Sequence, residues 1–183
     1  MSIVLVGSTS GSVTLQEPAV AGTTVLTLPA VSGTVLTTTS PKAGNVIQVV
    51  QGTYSTETTT TSFQPTFVDT GLTASITPTS SSSKILVIAQ IASPAKNGAI
   101  TSIYMRLVRD STTILDVGKG WIAYNNTTAS NGMAGCPLNY LDSPATTSST
   151  TYKVQITNEN SGGTVRAQGS NTTSTIILME IAA

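Results

Sequence analysis

Thr150-Thr-Tyr-Lys-Val-Gln-Ile-Thr157 alternates polar and apolar residues, so that Tyr152, Val154 and Ile156 fall on a single face. A period of two is the mark of a half-buried β-strand, because successive side chains of an extended chain point to opposite sides. The same pattern extends in both directions. Downstream, a turn over 158–163 leads to a strand over 164–168 and then to Thr173-Ser-Thr-Ile-Ile-Leu-Met-Glu-Ile-Ala-Ala183, an apolar run expected to be buried in a sheet or against a partner chain. Upstream, Lys84-Ile-Leu-Val-Ile-Ala-Gln-Ile-Ala-Ser93 is apolar on both faces and reads as a central strand. Further strands are expected over 45–54, 56–62, 66–70 and 72–77 (hinged at Gly71), 99–109, 112–117, 121–127 and 136–141, with turns at 94–98 and at Asp110-Ser111. Thr, Val, Ile and Ser dominate, and they favour strands and turns over helix interiors. The expected fold class is all-β, with about ten to twelve strands that fit a two-sheet β-sandwich or a jelly roll.

The N-terminal region has a different rhythm. Gly11, Gly22, Gly33 and Gly44 stand eleven residues apart. Between them Ser12-Val-Thr-Leu-Gln-Glu-Pro-Ala-Val-Ala21 and Thr23-Thr-Val-Leu-Thr-Leu-Pro-Ala-Val-Ser32 nearly repeat, and a degraded copy begins at Thr34. Each copy reads as a short strand stopped by proline, and such repeats mark stacked or elongated architecture. The expected organisation is a glycine-punctuated β stem over residues 1–44 and a head over 45–183. Thr24, Leu26 and Leu28 share one strand face, which a thin ribbon cannot bury. Oligomerisation through the stem is therefore expected, with Leu15, Leu26, Leu28 and Val35 as its anchoring contacts.

Composition excludes several functions. Only 9% of the residues are charged, and eight Lys and Arg balance eight Asp and Glu, which leaves no basic footprint for nucleic acid. There is no histidine, so the commonest general base and metal ligand is missing. Cys136 is alone and forms no intrachain disulfide; in its apolar setting it reads as a buried, inert thiol. No apolar run reaches the ~18 residues of a membrane helix. Met1-Ser-Ile-Val-Leu-Val-Gly7 lacks the basic region and length of a signal peptide, so a chain of this kind acting outside a cell is expected to leave by lysis or on an assembled particle.

Candidate sites are few. Gly118-Lys-Gly-Trp-Ile-Ala-Tyr-Asn-Asn-Thr127 holds the single tryptophan. Trp121 and Tyr124 offer aromatic faces, and Asn125 and Asn126 offer amide hydrogen bonds, a combination able to hold a sugar; packing of both aromatic rings between sheets is the plainer expectation. Glu180 shares a strand face with Ile176 and Leu178 and needs a partner, for which Arg106, also in an apolar strand, is the candidate: a structural ion pair within or between chains. Asp69, Asp110 and Asp142 read as turn residues, which leaves no paired carboxylates for glycoside hydrolysis. No metal-ligand spacing is visible. Neither a cofactor nor catalysis is expected.

Several phrases resemble virion appendage proteins of tailed bacteriophages, of the tail-fibre, head-fibre and capsid-knob kinds common in cyanophages. In the stem these are Gly7-Ser-Thr-Ser-Gly-Ser-Val-Thr-Leu-Gln16, Thr24-Val-Leu-Thr-Leu-Pro29 and Gly33-Thr-Val35. In the head they are Asp69-Thr-Gly-Leu-Thr-Ala-Ser-Ile-Thr-Pro78, Ser83-Lys-Ile-Leu-Val87, Leu107-Val-Arg-Asp110, Tyr140-Leu-Asp-Ser-Pro144, Thr151-Tyr-Lys-Val154 and 174–182. The resemblance implies a non-enzymatic homotrimer on the virion surface, a jelly-roll-like β-sandwich head on a narrow stem, made in the bacterial host cytoplasm. The partners it implies are a major capsid protein or a tail protein, and a host surface polysaccharide if the head is adhesive. A stem that begins almost at Met1, with no long shaft, points to a short knob or fibre decorating the capsid. A tail fibre that binds a host glycan is the alternative.

Overall fold

The computed structural model describes residues 3–6, 9–15, 19–20, 30, 41–125 and 130–183, with backbone alone for Ile3, Val13, Leu15, residues 118–121 and Asn125. The chain divides into two units, Met1–Val35 and Leu36–Ala183. In the first, β1 (Ile3–Val6) and β2 (Ser12–Leu15) form an antiparallel hairpin with Ile3 opposite Leu15. The first stem copy is thus a strand, as its alternation requires. Leu26, Leu28 and Val35 lie outside the described residues, as does the side chain of Leu15.

The second unit contains β3 (Val46–Tyr54), β4 (Thr58–Thr60), β5 (Val68–Ile76), β6 (Lys84–Ala92), β7 (Ala95–Asn97), β8 (Thr101–Arg109) and β9 (Thr112–Asn125). It continues with β10 (Asn131–Gly132), β11 (Gly135–Asp142), β12 (Thr150–Asn158), β13 (Thr164–Ala167) and β14 (Ser174–Ile181), with a 3-10 turn over Gly169–Asn171 before the last strand. Two antiparallel four-stranded sheets run in the orders β11-β6-β14-β3 and β5-β12-β8-β9. Counting only these eight strands in chain order, the first sheet reads 1-8-3-6 and the second 2-7-4-5, the strand order of a jelly roll. A third, smaller sheet, β10-β7-β13-β4, lies beside them.

The core fills the space between the two larger sheets. Ile85, Val87, Ile91, Leu138, Ile176 and Leu178 come from one; Leu72, Ile76, Met105, Leu107, Tyr152, Val154 and Ile156 come from the other. The period-two reading of 150–157 holds, since Tyr152, Val154 and Ile156 are all fully buried. Lys84–Ala92 is an interior strand, between β11 and β14. Its second face, however, is not covered: Ile88 is 37% exposed.

Three local readings are corrected. Residues 68–76 form one strand rather than two. Lys153 stands opposite Thr73 and Gln155 opposite Asp69, so Thr70-Gly71-Leu72 bulge against Val154 alone, and Gly71 takes φ +83° within the strand. Residues 112–125 are likewise one strand with a break in register. Residues 95–97, within the expected turn, pair as β7 with β10 and β13. The glycine spacing places the start of the head at 45. The units separate between Val35 and Leu36, while the chain joins the sandwich where the Gly44 N–H donates to Ala182 O at 2.8 Å and the Ala182 N–H donates to Asn45 O at 2.9 Å.

Candidate functional site

The segment around Trp121 is the place where β9 leaves register. Ile103 stands opposite Ile122 and Met105 opposite Val117, so one residue of β8, Tyr104, faces four of β9, residues 118–121. The two glycines flanking Lys119 suit such a bulge, because they impose no Cβ on an irregular backbone. Tyr124 is 40% exposed and does not pack between the sheets, which corrects the plainer expectation for that ring. The side chains of Trp121 and Asn125, and all of Asn126, lie outside the described residues. Asn131 pins the end of the strand, its side-chain amide donating to Ala123 O at 3.0 Å and to Tyr124 O at 3.5 Å.

Asn131 belongs to the small sheet, whose outer face carries a polar cavity of about 160 Å³. Ladder register builds its lining. Arg166 of β13 stands opposite Thr59 of β4 on one side and Ala95 of β7 on the other, and Thr164 stands opposite Asn97. These side chains share a face, with Glu57 and Ser130 at the margins. Lys96 contributes backbone only: it pairs with buried Val165, so its side chain takes the opposite face, where it is 1% exposed and Nζ donates to Gly98 O at 2.7 Å. Glu57 is held by the turn before β14. The Ser170 N–H donates to Glu57 Oε2 at 2.9 Å, and the Glu57 N–H donates to Asn171 Oδ1 at 3.3 Å. Gln168, Ser170 and Asn171 all take left-handed φ of 54–57° there, a costly conformation for residues other than glycine. Arg166 Nη1 lies 3.9 Å from Glu57 Oε2, close enough to interact by charge but too far for a hydrogen bond.

This cavity was not read from the sequence. Its one local signal is the i, i+2 spacing of Glu57 with Thr59 and of Thr164 with Arg166.

The Arg106–Glu180 pair does not form within the chain. Glu180 is on β14 and faces inward; Arg106 is on β8, in the other sheet, and faces outward. Arg106 stacks over Phe67, 3.8 Å from the ring centroid, and its Nε donates to Gln155 Oε1 at 2.7 Å. Phe67 meets Tyr104 edge-on at 5.0 Å. Gln155 Nε2 and Lys153 Nζ in turn donate to Asp69, at 2.5 and 2.9 Å. Asp69 therefore belongs to a strand and an ion pair, not to a turn.

Glu180 is fully buried. Its Oε2 accepts from Gln48 Nε2 at 2.6 Å, and its Oε1 accepts from the Thr79 N–H at 2.8 Å and Thr79 Oγ1 at 2.7 Å. Burial pushes the carboxyl up, but the donors Gln48 and Thr79, with Ser83 alongside, outweigh it and the net direction is down. Ser83 Oγ does not reach hydrogen-bond geometry with any partner, so Gln48 and Thr79 carry most of this effect. A carboxyl with a lowered folded-state pKa stabilises the fold above its ordinary value of 4.5. That contribution is lost as pH falls below that value. Glu180→Gln is expected to melt lower than wild type at pH 7, with the difference closing as pH falls below 4.5; a melting series over pH checks it.

Asp142 bridges the two large sheets at one end of the core. It lies on β11 and accepts from Arg109 Nη1 of β8 at 2.8 Å on both oxygens, and from the Tyr152 hydroxyl of β12 at 2.7 Å. Asp110 takes φ +52° in the β8–β9 turn and accepts from the Thr151 N–H at 2.9 Å. Cys136 is buried, and burial pushes its thiol up, which keeps it unreactive. Among the described residues no group of three His, Cys, Asp or Glu side chains is placed to hold a metal ion. No helix among them is long and apolar enough to cross a membrane.

No protein-family model matches the chain, and no curated protein matches it. Among solved structures it is similar to a chain from the Gt strain of infectious bursal disease virus, with TM-score 0.37 and 15% identity over 98% of this chain and 46% of that one. It is also similar to a mutant VP2 protein of that virus in derived T=1 particles, with TM-score 0.37 and 16% identity over 94% of this chain and 43% of that one. The chain spans less than half the length of these viral capsid proteins. Likeness at this level carries nothing about function across.

Proposed function

We propose that this chain is a non-enzymatic structural protein of a bacteriophage virion. In this reading it is a short trimeric knob or fibre, anchored to the particle by its N-terminal unit and decorating the capsid with its jelly-roll head. The supporting observation is the organisation itself: a glycine-punctuated unit that is separate from the head, in a chain whose phrases resemble phage appendages in order along most of its length. The acids speak against hydrolysis. Asp142, Glu180 and Asp69 are each held by neighbouring donors rather than set as a facing pair across a cleft.

The head also carries a surface that favours assembly. Leu141, Leu86, Met179 and Val49 stand opposite one another across all four strands of β11-β6-β14-β3, on the face turned away from the core. Leu141 is 50% and Val49 56% exposed. The outer face of the other sheet holds Asp69, Lys153, Arg106 and Gln155 instead. A continuous apolar row on one sheet only is the pattern of a contact surface rather than of scattered exposed residues.

The test is to remove residues 1–40, which leaves Gly44 and its bonds to Ala182 in place. The truncated head is expected to fold and to be missing from purified virions, while full-length protein with an epitope in the exposed 160–162 turn labels the capsid surface. Normal incorporation of the truncated head overturns the anchoring role; absence of the full chain from virions overturns the virion reading. Label confined to the tail selects the second reading, a fibre that attaches to a host surface glycan. That reading draws on the polar cavity of the small sheet and on exposed Tyr124.

A further inference from the structure

We infer that the cavity on the outer face of the small sheet is a saccharide site that takes one neutral hexose unit. Its size is the first reason. About 160 Å³ is room for roughly five waters at ~30 Å³ each. It falls below the ~300–1,000 Å³ of drug-sized pockets, which suits one pyranose edge and not an extended ligand.

The lining is the second reason. Thr59, Asn97, Ser130, Thr164, Glu57 and Arg166 are hydrogen-bonding residues drawn from four segments of the chain. On the outer face of the β5-β12-β8-β9 sheet, the polar side chains of Asp69, Lys153, Gln155 and Arg106 bond to one another. Among the described residues, the side chains of Thr59, Asn97, Ser130 and Thr164 make no such bond. Arg166 and Glu57 stand 3.9 Å apart, near but unjoined. A vicinal diol satisfies both at once: one hydroxyl donates to the Glu57 carboxylate and its neighbour accepts from the Arg166 guanidinium. Asn97 both donates and accepts, and the threonines do the same. A bare anion is disfavoured because Glu57 opposes it, and an apolar ligand leaves every one of these groups unanswered.

Glu57 is fixed for this role by the Ser170 N–H and the left-handed turn over 168–171. Among the described residues no aromatic side chain lines the cavity, so affinity for a single sugar is expected to be weak and useful attachment to depend on many copies acting together. The inference gives a ligand class to the attachment reading and rests on it only for its biological use. Binding by the isolated chain is decided without reference to virions.

The experiment is amide chemical-shift mapping of the full chain against the methyl glycosides of glucose, galactose, mannose and N-acetylglucosamine, with inorganic phosphate as the anion control. At least one glycoside is expected to shift the Thr59, Asn97, Thr164 and Arg166 amides with millimolar half-saturation, while phosphate does not. Arg166→Gln is expected to weaken that glycoside about tenfold with an unchanged melting temperature, since Arg166 is exposed; Thr59→Val is a second variant with the same expectation in direction. Three results overturn the inference: silence of these amides across the panel at tens of millimolar, a response to phosphate as strong as to any glycoside, or a glycoside response that Arg166→Gln leaves untouched.

Discussion

Asp142→Ala is expected to destabilise the head by about 3 kcal/mol, with the denaturant slope unchanged. Asp142 joins the sheets. Its side chain is 7% exposed and that of Arg109 is 24% exposed, while Tyr152 is fully buried. Removing the carboxylate strands two donors: a phenol in the core and a half-buried guanidinium. Breaking a buried ion pair from one side costs about 3–5 kcal/mol. Partial exposure of Arg109 places this one at the lower end, because water takes up some of the orphaned charge. Tyr152→Phe keeps the ring and loses only the hydroxyl, and about 1 kcal/mol is expected. Urea unfolding of both variants gives the comparison, and equal losses would show that the carboxylate matters only as a partner for the phenol.

The same tyrosine supplies a pH test. Burial first, and then the hydrogen bond to Asp142, push its hydroxyl well above the ordinary 10.0. A raised folded-state pKa means that stability is intact below that value and is lost as pH rises through the higher range, because the unfolded chain releases the proton first. Wild type is expected to lose stability above pH 10 more steeply than Tyr152→Phe.

Gly71→Val is expected to cost about 3 kcal/mol, from two sources that can be separated. The backbone at φ +83° costs an L-residue about 1–2 kcal/mol, and more for a β-branched one. A Cβ there would also lie 2.3 Å from the Tyr54 ring, so Tyr54 must leave its place against the core, an overpacking cost of about 1–3 kcal/mol. Gly71→Asn isolates the second effect, because asparagine tolerates the left-handed region. Gly44 is the control: φ is +88° but nothing lies within 4 Å of its Cβ position, so Gly44→Asn is expected to be nearly neutral. Thermal melts of the three variants decide it, and equal losses at Gly71 and Gly44 would show that the ring plays no part.

These residues also mark where the sequence was readable. The alternation of Tyr152, Val154 and Ile156 needs only strand geometry, and it survived intact. Gly71 was visible as an interruption, but a glycine inside a strand pattern fits either a hinge or a bulge; Val154 across the ladder decides for the bulge. Asp142 shares strand parity with Cys136 and Leu138, an inward face on which a carboxylate requires donors, but the Asp142-Ser143-Pro144 turn signal masks that parity. Arg106 and Glu180 failed as a pair because parity states which side of a strand a residue takes, not which sheet the strand joins. The cavity was the least legible feature. β4 and β7 are three residues long, too short to carry a period, and their neighbours in the small sheet are set by tertiary pairing alone.

The first and last strands of the jelly roll are partners, and this has a mechanical consequence. β3 runs antiparallel to β14 from the Tyr54–Ser174 pair to the Val46–Ile181 pair, and Ala182 closes the ladder with backbone bonds to Gly44 and Asn45. Force applied along the axis of β3 therefore meets its interstrand bonds sideways. Bonds perpendicular to the strand are then strained together rather than opened one after another, as they would be in a hairpin peeled from its end. In the anchored knob proposed above, load applied along β3 is carried by the whole β3–β14 ladder at once.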